Sequence, residues 1–203
     1  MIGWLGKWSE VEVMIEKGNW SAFKIPKLVQ PWRYLEHPPL DRGKFGYDRT
    51  GKLDSWSEEA QVAGSIARYN HPKFKDLHYV VKGVLENVIH EKLYPTYYYD
   101  RFYFKGQELT RHTDRESCEI SISIHISTNA KYKWPLYFEV DGKSHAMTMD
   151  PGDAVVYRGM ELPHWREPLE GNRDTYYHQI FMHYVRRDGY FVQHAFDCAS
   201  ETT

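Results

Sequence analysis

The chain holds only two cysteines in 203 residues, Cys118 and Cys198, and they lie far apart. That scarcity excludes a disulfide-stapled secreted scaffold and favours two free thiols in a reducing interior. Long apolar runs are missing as well. None approaches the ~20 residues that a bilayer-spanning helix needs. The first residues, MIGWLGKWSEVEVM, lack the basic start and apolar stretch of a signal peptide. The expectation is a soluble cytoplasmic protein with no membrane partner. Charge of one sign is also lacking: 26 Lys and Arg face 28 Asp and Glu, a net −2 with His neutral. A duplex-binding protein normally carries a strong basic footprint, so duplex nucleic acid is disfavoured as a partner. Gly and Pro, at 14 and 10, are ordinary. No repeat or low-complexity linker is visible, which removes the collagenous and disordered classes. What the chain has in plenty is aromatic side chains, 16% of residues including 16 Tyr and 7 Trp. Tyr and Trp combine bulk with a polar handle and suit both sandwich cores and ligand pockets.

The length suits one domain, 1–203, whose pattern changes character near residue 95. Before it, two segments have helical spacing. Ser57 to Tyr69 opens on Ser-Glu-Glu, a capping signature, and carries Ala60, Val62, Ala63, Ile66 and Ala67. Phe74 to Leu93 sets Phe74, Leu77, Val81, Val84, Leu85, Val88 and Ile89 on one stripe. Pro31 to Ser55 reads as a long irregular connection, a length usually tied to function. After Pro95 the period becomes two. Cys118 to Ser127 alternates Cys and Ile with Glu, Ser and His. Leu136–Val140 and Ser144–Met149 flank Asp141-Gly142, a strong hairpin signal. Pro151-Gly152-Asp153 turns into Ala154–Arg158, and Glu170-Gly171-Asn172 turns into Arg173–Val185. Short strands joined by tight turns predict a mainly β sandwich or jelly roll with supporting helices. Residues 1–95 form an N-terminal helical and loop elaboration, its helices packed on one sheet, and 96–187 form the core.

The chemistry-bearing segment is His112-Thr113-Asp114. On extended chain, residues two apart project to one face, so an imidazole and a carboxylate converge. A second histidine from elsewhere would complete the two-histidine, one-carboxylate triad of non-haem Fe(II) oxygenases, with open positions on the metal. His164, fifty residues past Asp114 and just beyond the Pro-Gly-Asp turn and its strand, is that candidate. His178 and His183, downstream, have opposite parity on the last strand, so at most one faces inward. A 2-oxoacid chelating such a metal needs a cationic partner for its remote carboxylate. Arg173 with Thr175 could supply that partner and a hydroxyl, and Arg166, two residues past His164, is the alternative.

From about Tyr97 to Arg187 the chain resembles the Fe(II)/2-oxoglutarate-dependent oxygenases, nearest to the prolyl 4-hydroxylase-like branch. The resemblance lies in Arg101-Phe-Tyr-Phe-Lys-Gly-Gln-Glu-Leu-Thr-Arg-His-Thr-Asp114, the strand Cys118–Ser127 and the Pro151-Gly152-Asp153 turn. It implies a double-stranded β-helix, with iron held by His112, Asp114 and His164. It further implies 2-oxoglutarate anchored by Arg173 with Thr175, and reached by Tyr103. His125 stands where the branch often has a tyrosine facing the cosubstrate. The strand around Trp134–Phe138 departs from the branch by lacking a Gly-Gly pair.

The implied cofactors are Fe(II), 2-oxoglutarate and O2, and the implied reaction is hydroxylation of a C–H bond in a peptidyl substrate, prolyl first. The same chemistry on a small metabolite or a nucleobase is the alternative. A cupin-like metal- or ligand-binding jelly roll is the non-oxygenase alternative, weakened because no His-x-His occurs in the chain. Arg111 and Arg115 flank the ligand pair, either gripping an anion at the pocket mouth or simply solvated.

Overall fold

The computed structural model describes residues 20–38 and 56–196. In chain order its elements are β1 (Ala22–Ile25), β2 (Ser57–Glu58), β3 (Ile66–Tyr69), α1 (Lys75–Ile89), β4 (Leu93–Phe104), β5 (Leu109–His112) and β6 (Ile120–Thr128). They continue with β7 (Leu136–Val140), β8 (Lys143–Met147), β9 (Ala154–Tyr157), β10 (His164–Arg166) and β11 (Tyr176–Arg186). One antiparallel sheet runs β1-β9-β6-β11-β4-β3-β2 and the other β5-β10-β7-β8. Two facing sheets whose strands alternate between them make a jelly roll, as the spacing of turns predicts. Among the described residues no helix is long and apolar enough to cross a membrane.

The turn chemistry sets much of this. Asp141 and Gly142 both have positive φ, 51° and 71°, which closes β7 onto β8 with Val140 opposite Lys143. That geometry matches the twist of the flanking strands and is why Asp-Gly predicts a hairpin. Gly152 has φ 93°, and a Cβ there would stand 2.6 Å from the Val29 carbonyl, so only glycine lets the segment after β1 close over this turn. The Asp153 carboxylate then accepts from the backbone N–H of Lys27 and of Asp150, each at 2.9 Å, fastening β1 to the start of β9.

The two faces of the long sheet carry different cores. Ile120, Ile122, Ile124 and Ile126 of β6, with Ile180, Met182 and Tyr184 of β11, point outward into a core shared by α1 and the segment from Phe23 to Val29. There they meet Leu77, Val81, Val84 and Leu85, the predicted stripe. Each such side chain, fully buried, contributes about 1.5–3 kcal/mol. The helix is tied back to β4 by Glu86, whose carboxylate accepts from the Leu93 N–H at 2.9 Å. The inner face instead meets the short sheet through Tyr103, Tyr157, Tyr177 and Phe181 against Trp134, Leu136 and Phe138. Because this outer core takes the isoleucines, the Ser and His positions of β6 face the interior of the jelly roll.

One expected helix is corrected. Residues 57–69 form β2, a turn and β3, not a helix. Gly64 sits at φ 78°, outside helical space, and β3 pairs antiparallel with β4, Ile66 opposite Phe102 and Tyr69 opposite Tyr99. Ala60 and Ala63, which a helix would have buried, are exposed. Sheet pairing and the burial of Ile66 and Ala67 outweigh the modest helix propensity of this stretch. A single helix, α1, therefore packs on the sheet among the described residues. Of the Pro31–Ser55 connection, residues 39–55 lie outside the described residues, as does Cys198.

Candidate metal centre and cosubstrate pocket

His112 ends β5 and His164 opens β10, and the two are direct cross-strand partners in the short sheet. Their rings lie 4.3 Å apart between centroids. Asp114 follows two residues after His112, placed by its backbone N–H donating to the Gly159 carbonyl at 2.9 Å. Its Oδ1 stands 3.5 Å from His112 Nε2 and 3.6 Å from His164 Nε2.

The tautomers follow from the other ring nitrogens. His112 Nδ1 donates to the Thr110 carbonyl at 2.8 Å, and His164 Nδ1 to the Leu162 carbonyl at 2.9 Å. Both Nε2 atoms therefore present lone pairs toward the carboxylate. Backbone acceptors on the far nitrogen are the usual way a ligating histidine is oriented. Two imidazole lone pairs and a carboxylate facing one another form a donor set for a divalent first-row metal, and the residues fit iron.

The carboxylate is held from behind. Ser121 donates its hydroxyl to Asp114 Oδ2 at 2.7 Å, and His183 Nδ1 lies 3.0 Å from the same Oγ. Burial pushes the His183 pKa down to about 4, so the ring is neutral and its Nδ1–H serves Ser121. Burial pushes the Asp114 carboxyl up, but His112, His164, His183 and Ser121 overcome it and hold the group ionised well below the usual range. A second grouping, Asp114 with Cys118 and His183, shares the carboxylate. It is the poorer metal site, because burial and the nearby Asp114 raise the Cys118 thiol to about 12. Gly159 makes the space: a Cβ there would lie 2.1 Å from Asp114 Oδ2. His178 points to the opposite face, 2.9 Å from Asp100 Oδ2, as its parity predicts.

The structure brings Arg166 to this pocket and leaves Arg173 outside it. Arg173 is 93% exposed at its side chain and sits beside Asp174. The stretch expected as strand is a turn up to Thr175: Asp174 N–H donates to Asn172 Oδ1 and Thr175 N–H to the Asn172 carbonyl, so β11 begins only at Tyr176. Thr175 is buried but turns its hydroxyl to Asn172 Oδ1 at 3.3 Å. Arg166 is 2% exposed, sharing the strand face of His164 about 6.6 Å further along β10. Its Nη1 donates to the Trp134 carbonyl at 2.8 Å, and the guanidinium lies over the Trp134 and Tyr177 rings. Its Nη2 has no hydrogen-bond partner among the described residues. His125 stacks on Tyr177 with centroids 4.0 Å apart, its Nδ1 also without a partner, and burial with Arg166 drives its pKa to about 3. Tyr103 lines the same interior and accepts from Arg101 Nη1 at 2.7 Å. An unmet buried guanidinium nitrogen, within one side chain's reach of the triad's strand face, fits the remote carboxylate of 2-oxoglutarate.

Sequence reasoning missed Arg101, Glu59 and Gln61. Arg101 is fully buried on the inner face of β4, and Glu59 binds its Nε and Nη2 while Gln61 Oε1 accepts from Nη2 at 2.7 Å. Each of its three guanidinium nitrogens thereby has an acceptor, whereas Arg166 keeps one nitrogen, Nη2, without a partner among the described residues. Gln61 also places its amide nitrogen 3.0 Å from His112 Nε2. Arg101 was recognisable by its parity with Tyr103, whereas Glu59 and Gln61 fell in the stretch read as helix. Arg111 pairs with Glu139 at 2.9 Å near the surface, and Arg115 lies over the Tyr97 ring.

No family model and no curated protein matches the chain. Its fold is shared with solved structures of 2-oxoglutarate–Fe(II) oxygenases, prolyl hydroxylases among them. A Pseudomonas putida prolyl-4-hydroxylase matches with a TM-score of 0.57 over 83% of this chain and 94% of that one, at 14% identity. A Trichoplax adhaerens prolyl hydroxylase, solved with a hypoxia inducible factor peptide fragment, matches at 0.57 over 81% and 83%, at 10% identity. HygX from Streptomyces hygroscopicus, solved with nickel and 2-oxoglutarate, matches at 0.54 over 81% and 82%, at 11% identity.

Proposed function

We propose that the protein is an Fe(II)- and 2-oxoglutarate-dependent dioxygenase that hydroxylates a C–H bond of a peptidyl substrate. The observation that carries this reading is the convergence of two oriented Nε2 lone pairs and a carboxylate on one point inside a jelly roll. His112, Asp114 and His164 would hold the iron, and Arg166 would anchor 2-oxoglutarate, with His125 and Tyr103 beside it. The chemistry that iron and 2-oxoglutarate supply when bound is oxidative decarboxylation, which yields succinate and CO2 and turns O2 into a C–H hydroxylating agent. The chain's own part is positional. Ser121 and His183 fix the Asp114 carboxylate, Leu162 and Thr110 fix the imidazoles, and Tyr157 and Phe138 pack against His164. The peptidyl class is supported by the prolyl hydroxylases that share the fold over most of their length.

The test is anaerobic titration of metal-free protein with Fe(II) and 2-oxoglutarate, following the visible metal-to-cosubstrate charge-transfer band. The band is expected in wild type and absent in Asp114→Ala. Arg166→Leu should weaken 2-oxoglutarate by roughly 10- to 150-fold, the worth of a charge-assisted hydrogen bond. Arg173→Ala should change nothing. Bound metal without a band in wild type would sink the oxygenase reading. Peptide-stimulated succinate release then checks the substrate class.

A further inference from the structure

A buried side-chain amide almost always has a partner, because leaving its N–H2 and C=O both unmet away from water is costly. Gln179 breaks that rule. It is 0% exposed, and neither Oε1 nor Nε2 has a hydrogen-bond partner among the described residues. It stands on β11 with the parity of Tyr177 and Phe181, both in the inner core, and its sheet neighbours are Arg101 on β4 and His125 on β6. Neither neighbour serves it. Arg101 is held by Glu59, Gln61 and Tyr103, and the Nδ1 of His125 is itself unmet.

Four neighbouring groups therefore share one condition: the Gln179 amide, His125 Nδ1, Arg166 Nη2 and Tyr177 Oη. Unmet donors and acceptors from three strands, gathered on one interior surface, mark the place of a ligand. We propose that Gln179 binds the distal carboxylate of 2-oxoglutarate, its Nε2–H donating to one carboxylate oxygen beside Arg166. This rests on the cosubstrate reading above. The end of the cosubstrate follows from position along β11. Gln179 is two residues from Tyr177, whose ring lies under Arg166, and four from His183, which reaches Asp114 through Ser121. It belongs to the anchor end of the pocket. Arg166 supplies the positive charge there, and a neutral amide adds direction without a second charge, matching a single carboxylate.

Gln179→Leu, loaded with Fe(II) anaerobically, is to be titrated with 2-oxoglutarate and with 2-oxobutyrate, which keeps the chelating end and lacks the distal carboxylate. The dissociation constant for 2-oxoglutarate should rise at least about tenfold, the lower bound for one hydrogen bond to a charged group. That for 2-oxobutyrate should not change. The metal-free variant should melt no lower than wild type, since an unpartnered polar group has been replaced by an apolar one of similar volume. If Gln179→Leu does not fold, Gln179→Met, of equal length and without the amide, carries the same expectations. Unchanged 2-oxoglutarate binding would overturn the proposal. So would equal weakening of both ligands with a lower melting temperature, which marks a structural role. A wild type that binds Fe(II) but shows no band with either ligand would overturn the cosubstrate reading itself, and this assignment with it.

Discussion

Gln61 competes with the metal for one lone pair. Its carboxamide bridges Arg101 Nη2, at 2.7 Å, and His112 Nε2, at 3.0 Å. A guanidinium only donates, so the carbonyl end must face Arg101 and the NH2 end must donate to the imidazole. That imidazole nitrogen is the one aimed at Asp114, because Nδ1 is committed to Thr110. A metal at the triad and the Gln61 bond are therefore mutually exclusive. A neutral hydrogen bond is worth about 0.5–1.5 kcal/mol, and the exposure of Gln61 places this one in the lower half of that range. Removing it in Gln61→Leu should tighten metal binding about two- to fivefold. Arg101 loses the same acceptor with and without metal, while Glu59 still holds it, so that loss cancels. Anaerobic Co(II) titration against a chromophoric chelator reads the affinity, with Asp114→Ala as the variant that should lose it. Equal or weaker binding by Gln61→Leu would refute the reasoning and remove His112 Nε2 as the ligand atom.

Two further expectations follow from the same interior. His78, His125 and His183 are buried with pKa values lowered from 6.5 to about 4, 3 and 4, chiefly by burial. Below pH 6.5 the unfolded chain takes up protons that the folded one refuses, so stability is full above that pH and falls as the pH drops toward 4. At pH 5 each group should cost about 2 kcal/mol relative to pH 8, a large share of a typical domain's stability. Melting curves across pH 8 to 4.5 measure it, and a midpoint that holds constant to pH 5 would contradict the burial of these rings. Gly159→Ala would set a methyl 2.1 Å from Asp114 Oδ2 and 2.8 Å from the Cys118 carbonyl. Overpacking of this kind costs about 1–3 kcal/mol, so metal affinity should drop at least about fivefold while the circular dichroism of the sheets is retained. Affinity within twofold of wild type would show that Asp114 is not wedged where the structure has it.

The legible parts of the sequence were those set by neighbours in the chain. Alternation over 118–127, Asp141-Gly142 and the α1 stripe each express a local rule of period or turn, and each became the element it signalled. The illegible parts were those in which two local rules competed. Ser57–Tyr69 satisfies a helical count, but its partner strand β4 lies some thirty residues away, and pairing with it prevailed. The start of β11 lies later than the Glu170-Gly171-Asn172 turn suggests for a smaller reason: Asn172 accepts two backbone N–H groups and delays the strand until Tyr176. Arg173 and Thr175 were thereby taken off the strand face they were expected to share.

His112 and Asp114 could be paired from sequence because they lie two residues apart on extended chain, and His164 because a turn and a strand precede it. Choosing among Arg101, Arg166 and Arg173 was beyond any local rule. All three are single arginines near the right elements, and what separates them is burial and prior commitment. Arg173 stands in solvent, Arg101 is held by Glu59 and Gln61, and Arg166 alone of the three keeps a buried donor unmet. The same holds for Gln179, unremarkable in a β-strand until its amide is seen to be buried without a partner. Period and spacing determine which side chains share a face of one strand. Which of them are enclosed together, and which are left wanting a partner, is decided only when the two sheets close, because desolvation and hydrogen-bond satisfaction are properties of the packed chain.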